Sequence, residues 1–176
     1  MAKNPTSPAV CSLSWNLEKV QKILNNYDEC PTEEKTKFIS FLEHCSIDGE
    51  IFTTLMTTEL ADTFYVFLCK NPTLTPMQLG RLLDSIEEKE ELCRKLIFLY
   101  DLAEHPQLNS KQLLRISVIA KKKARASSLP GIFSMLMNHH SYNINIHKEI
   151  FLKGYTNNVS DVGLLRSIID YNEKHI

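Results

Sequence analysis

Apolar residues recur along this chain at intervals of three and four, the spacing of one helical face, and strand-like alternation is nearly absent. Residues 1–13 carry Asn4-Pro5 and Ser7-Pro8 and read as a flexible tail. Trp15, Leu17, Val20, Ile23 and Leu24 then mark a first helix, with Ser14 placed to cap it and Asn25-Asn26 near its end. Thr32, after Pro31, opens a second helix that sets Phe38, Ile39, Phe41 and Leu42 on one side. Asp48 begins a short third with Ile51, Phe52 and Leu55, and Thr58 begins a fourth running through Leu60, Phe64, Phe67 and Leu68 to Cys69.

The next segment predicts a complete helix start. Thr75 is the N-cap, Pro76 occupies the first helical position, and Gln78 is placed to close a capping box. Asn109, 34 residues on, stands in the same place, with Gln112 three residues after it. A further 34 residues brings Asn143, with His147, Ile150 and Phe151 at the offsets of Leu79, Leu82 and Leu83. Ser160, with Leu164, Leu165 and Arg166, resembles the second copy again after half that spacing, and Asp48 fits more loosely upstream. Second helices are expected between these starts. One runs from Glu87 to Leu102, with Glu90–Arg94 and Glu91–Lys95 in the favourable i,i+4 order. The other runs from Ser128 to Met137. Helix, turn, helix at about 34 residues is the signature of a stacked helical array, in which each pair buries an apolar face its neighbour must cover.

The expected fold is therefore all-α. About ten helices would form stacked antiparallel pairs in a short α-solenoid-like array over residues 14–176, with units starting near residues 75, 109 and 143. An irregular helical bundle is the alternative.

Residues 71–84 and 105–118 resemble the start of a leucine-rich-variant helical repeat and, more generally, HEAT-like and tetratricopeptide-like arrays. The chain departs from these elsewhere: the proline is lost in the later copies, and no tetratricopeptide Trp/Gly/Tyr/Ala/Pro pattern is present. The resemblance implies a helical scaffold that binds other macromolecules rather than an enzyme.

With 176 residues and 43% apolar content, the chain is long enough to bury a core and too apolar for wholesale disorder. No apolar run approaches the roughly 20 residues of a membrane helix, and Met1-Ala-Lys-Asn-Pro5 offers no signal-peptide core. Near-balanced charge hides an asymmetry. Residues 1–110 hold 10 Lys+Arg against 17 Asp+Glu, a net of −7, and residues 111–176 hold 10 against 4, a net of +6. A basic end can attract acidic proteins, nucleic acid or anionic lipid. The five cysteines, Cys11, Cys30, Cys45, Cys69 and Cys93, include no Cys-x-x-Cys pair and match no zinc spacing. They read as small buried hydrophobes in a reducing cytoplasm, with no disulfide framework. Abundant Asn, Ile and Lys beside only 5 Gly are compatible with an AT-rich bacterial or viral genome. That admits an effector or adaptor of an intracellular bacterium, acting in the host-cell cytosol if secreted.

Candidate chemistry is sparse. His139, His140 and His147 lack carboxylate or thiol companions at ligand spacing apart from Glu149, and a helix-terminal or solvated role is expected, with no metal and no cofactor. His44 and Cys45 are neighbours on a helix and do not face each other, so they make a poor base and nucleophile. Phosphate loops and serine-hydrolase, metalloprotease and calcium-loop motifs are lacking, so no catalytic residue is assigned. The concentrated charge is basic. Arg81, Arg115 and Arg166 each stand six residues after a cap, opposite the buried stripe, and stacked first helices would align them on one outer face. With Lys111 and the run Lys121, Lys122, Lys123 and Arg125, they are the expected partner-binding residues. The expected function is a non-catalytic protein-interaction module or adaptor receiving an acidic partner segment. The alternative is nucleic-acid or anionic-surface binding through residues 111–176.

Overall fold

The computed structural model describes residues 15–89, 97–123 and 129–142. Among these, every regular element is a helix: α1 Leu17–Asn25, α2 Thr32–His44, α3 Gly49–Thr57, α4 Ala61–Lys70, α5 Pro76–Glu88, α6 Ile97–Ala103, α7 Ser110–Lys123 and α8 Leu129–Asn138. The all-α expectation is met, with eight helices among the described residues where about ten were expected for the whole chain. The tail over 1–13, the copies at 143 and 160, and the ion pairs at 90–95 lie outside the described residues. No helix among them is long and apolar enough to cross a membrane.

The helix starts follow local capping chemistry. Asp48 accepts from the N–H groups of Glu50 and Ile51, fixing the start of α3. Thr75 and Gln78 close the expected box: the Gln78 N–H donates to Thr75 Oγ1 at 3.3 Å, and the Thr75 N–H donates to Gln78 Oε1 at 2.8 Å. Asn109 and Gln112 repeat it at 3.0 Å in both directions. Two expected starts are corrected. Helix α1 is capped by Asn16, whose carboxamide oxygen takes the Lys19 N–H at 2.9 Å, not by Ser14. Thr58 ends α3 instead of opening α4: its backbone is extended, its N–H closes the last turn on Thr54, and α4 begins three residues later at Ala61. The expected helix from Glu87 is also divided differently, since Glu87 and Glu88 complete α5.

The chain divides into two compact units at Leu82/Leu83. In the first, α4 packs against both α2 and α3, and α1 lies against α3. Phe38, Phe52, Phe64, Leu42, Leu55 and Leu68 are fully buried there. Phe38 meets Phe64 edge-on with centroids 5.6 Å apart, and Trp15 stacks on Phe41 at 4.9 Å. Burying each such side chain contributes roughly 1.5–3 kcal/mol, so these rings dominate the unit's stability. In the second unit α6, α7 and α8 pack on one another over Leu99, Leu102, Leu113, Ile116, Ile132, Phe133 and Leu136. Gly131 lets Tyr100 lie against α8: a Cβ at that position would stand 2.7 Å from the Tyr100 hydroxyl.

Candidate functional site

Polar side chains lock the turns that follow α4, α6 and α8. Asn71 is fully buried and donates from Nδ2 to the carbonyls of Leu42 and Cys45, while its Oδ1 accepts from the Thr73 N–H. His105, 34 residues on, accepts the Gln107 N–H on Nδ1. His139, another 34 on, accepts the Ser141 N–H on Nδ1 and donates from Nε2 to the His105 carbonyl at 2.9 Å. The ring is therefore neutral with its proton on Nε2, since a carbonyl can only accept and a backbone N–H can only donate. Burial, offset in part by the bond to His105 and reinforced by the neighbouring His140, holds its pKa below the ordinary imidazole value. His139 thus stands at a helix end, as expected, but as a buried structural latch and not a solvated side chain. His147 lies outside the described residues, and no cluster of three metal-ligating side chains occurs among those described.

The arginines at the sixth position after the caps have different surroundings. Arg81, exposed on α5, donates from Nη1 to Thr53 Oγ1 on α3 at 2.8 Å, and its guanidinium lies over the Phe52 ring at 5.6 Å. No carboxylate among the described residues pairs with it. Arg115 on α7 is held by two. Its Nε and Nη2 donate to Glu87 Oε2 at 2.9 and 2.7 Å, and its Nη1 donates to Asp84. Burial opposes its charge, but the bonds from Glu87 and Asp84 outweigh that and raise its pKa further. The two arginines obey one rule of spacing. Thr53 precedes Arg81 by 28 residues, as Glu87 precedes Arg115. A hydroxyl in the first unit stands where the second has a carboxylate.

Lys111 is exposed at the start of α7, and Lys121, Lys122 and Lys123 form its last turn. Arg125 and Arg166 lie outside the described residues. Sequence reasoning passed over Met77, the most exposed large apolar side chain among the described residues at 79%. It stands one turn before Arg81 on α5, and its place just inside a helix start gave no functional signal.

A groove of about 460 Å3 runs beside α1 and α2, lined by Trp15, Lys19, Ile23, Cys30 and Glu34 among others. The Lys19 ammonium sits 4.3 Å from the Trp15 ring, whose buried Nε1–H has no hydrogen-bond partner among the described residues. Cys30 donates its thiol to Glu34. Burial and that carboxylate keep the thiol protonated above its ordinary range, so it is not an activated nucleophile.

The cysteine reading needs a correction. Cys30 and Cys69 are thiols, but Cys45, buried at the end of α2, is disulfide-bonded. Pairing depends on which cysteines meet in space, which their spacing along the chain does not reveal. The bond also removes Cys45 as a nucleophile for His44. Compared with known proteins, the chain matches no family model, no curated relative and no solved structure.

Proposed function

We propose that this chain is a non-catalytic protein-interaction module built on helical hairpins of about 34 residues. The observation that supports this reading is the recurrence of one set of side-chain bonds at one spacing. The boxes at Thr75–Gln78 and Asn109–Gln112, the latches at Asn71 and His139, and the pairs Arg81–Thr53 and Arg115–Glu87 follow the same register. Bonds of this kind fix helix pairs rigidly from within and leave the outer positions of the first helices to recognition. The basic residues at those positions suit an acidic partner segment, with Arg preferred because its planar fork holds a carboxylate through two parallel bonds.

Capture of partners from native cytosol, with and without nuclease, tests the reading. One protein partner recovered regardless of nuclease is the expected outcome. Recovery of RNA that nuclease abolishes would replace it with nucleic-acid binding through residues 111–176.

A further inference from the structure

The interaction-module reading treats Arg81 and Arg115 alike, and their surroundings separate them. Arg115 has both edges of its guanidinium engaged, one by Glu87 and the other by Asp84. An acidic partner would have to displace two carboxylates already tethered beside it. Arg81 has only its Nη1 engaged, by the neutral Thr53 hydroxyl. Its Nε/Nη2 edge, the one with which Arg115 grips Glu87, has no hydrogen-bond partner among the described residues, and the residue is exposed.

Thr53 cannot neutralise Arg81, and it does hold the side chain in place. It accepts from Arg81 while donating its own proton to the Gly49 carbonyl at 2.8 Å. The Phe52 ring beneath supports the flat guanidinium. An arginine ordered in this way loses less side-chain entropy on meeting a carboxylate. One turn away on the same helix face stands Met77, whose flexible thioether suits varied apolar partners.

We propose that Met77 and Arg81, positioned by Thr53, form the docking point for an acidic segment of another protein, in which a carboxylate is followed or preceded by an aliphatic side chain. The carboxylate takes the Nε/Nη2 edge of Arg81, as Glu87 takes that of Arg115, and the aliphatic group covers Met77. The proposal rests on the interaction-module reading and narrows it to one point in the first unit.

The probe is a capped Leu-Glu-Glu-Leu peptide titrated into the full chain and followed by NMR, with a Leu-Gln-Gln-Leu peptide as its neutral counterpart. Saturable shifts at the Arg81 Nε–H and the Met77 methyl are expected, with affinity on the order of millimolar. The neutral peptide and the R81Q variant should each bind roughly tenfold more weakly or worse. T53E, which gives Arg81 an internal carboxylate, should weaken binding comparably while leaving the fold intact. Binding lost in R115Q or K111Q but retained in R81Q would overturn the docking point and leave the module reading standing. Shifts that never saturate, or equal affinity for the neutral peptide, would overturn it as well. Failure of the module reading itself would show in the partner capture described above.

Discussion

His139 donates its Nε2–H to the main-chain carbonyl of His105 while its Nδ1 accepts the Ser141 N–H, so both ring nitrogens are committed and the ring has no place for a second proton. Protonation would set an N–H against the Ser141 N–H inside a buried turn. The lowered pKa means that the folded chain binds this proton more weakly than the unfolded chain does. The stability contributed by His139 is fully present above the ordinary imidazole value of 6.5 and is lost as pH falls below it through the folded-state value. Urea midpoints measured between about pH 7.5 and 5.5 should fall with acidification. His139→Asn should flatten that slope, because Asn71 performs the equivalent pair of bonds without titrating. An unchanged slope in the variant would remove His139 as its source.

The capping boxes give a second expectation. Thr75→Ala and Asn109→Ala should each destabilise by roughly 0.5–2 kcal/mol, by exposing first-turn N–H groups. Chemical denaturation of both variants checks this, and the double variant should be additive if the two helices are energetically independent.

The Cys45 disulfide predicts sensitivity to reductant. Reduction should lower Tm, with a loss of the usual size for such a bond, about 2–4 kcal/mol. Cys45→Ser should melt at the reduced protein's temperature with or without reductant. A parent Tm that ignores the reductant would contradict the bond.

The two arginines should differ in stability measurements. Arg115→Gln is expected to cost about 1 kcal/mol, since its side chain is only one-third exposed and both its partners are acidic. High salt should shrink that loss. Arg81→Gln should stay within about 0.5 kcal/mol of the parent, as expected for an exposed residue without an ion-pair partner among the described residues. Equal losses in the two variants would erase the distinction drawn between them.

Features governed by a few consecutive residues could be read directly. The boxes at Thr75–Gln78 and Asn109–Gln112 are local chemistry, and they form as expected. Thr58 misled because a threonine beside an apolar run looks the same whether it ends one helix or starts the next. The carboxylates on Arg115 come from 28 and 31 residues upstream, and a helical wheel of α7 alone leaves that arginine facing solvent. His139 was misjudged for the same reason, since the carbonyl that fixes its tautomer lies 34 residues away. At Arg81 the sequence indicated the exposed cation, but its difference from Arg115 depends on whether position 53 or 87 carries a hydroxyl or a carboxylate.

The turn latches share one further property. Asn71, Gln78, His139 and Ser141 all reach for main-chain carbonyls, at Leu42 and Cys45, Ile47, His105 and Leu108. Every amino acid supplies that acceptor. Substitution at Leu42, Ile47 or Leu108 alters packing but leaves the bonding group where it was. The reaching residues need a side-chain donor of the right reach, which Asn71 and His139 both supply, while the residues reached need supply only their main chain. A lineage carrying this scaffold could rewrite much of its turn sequence, and move far from any recognisable ancestor, with the helix pairs still joined at the same points.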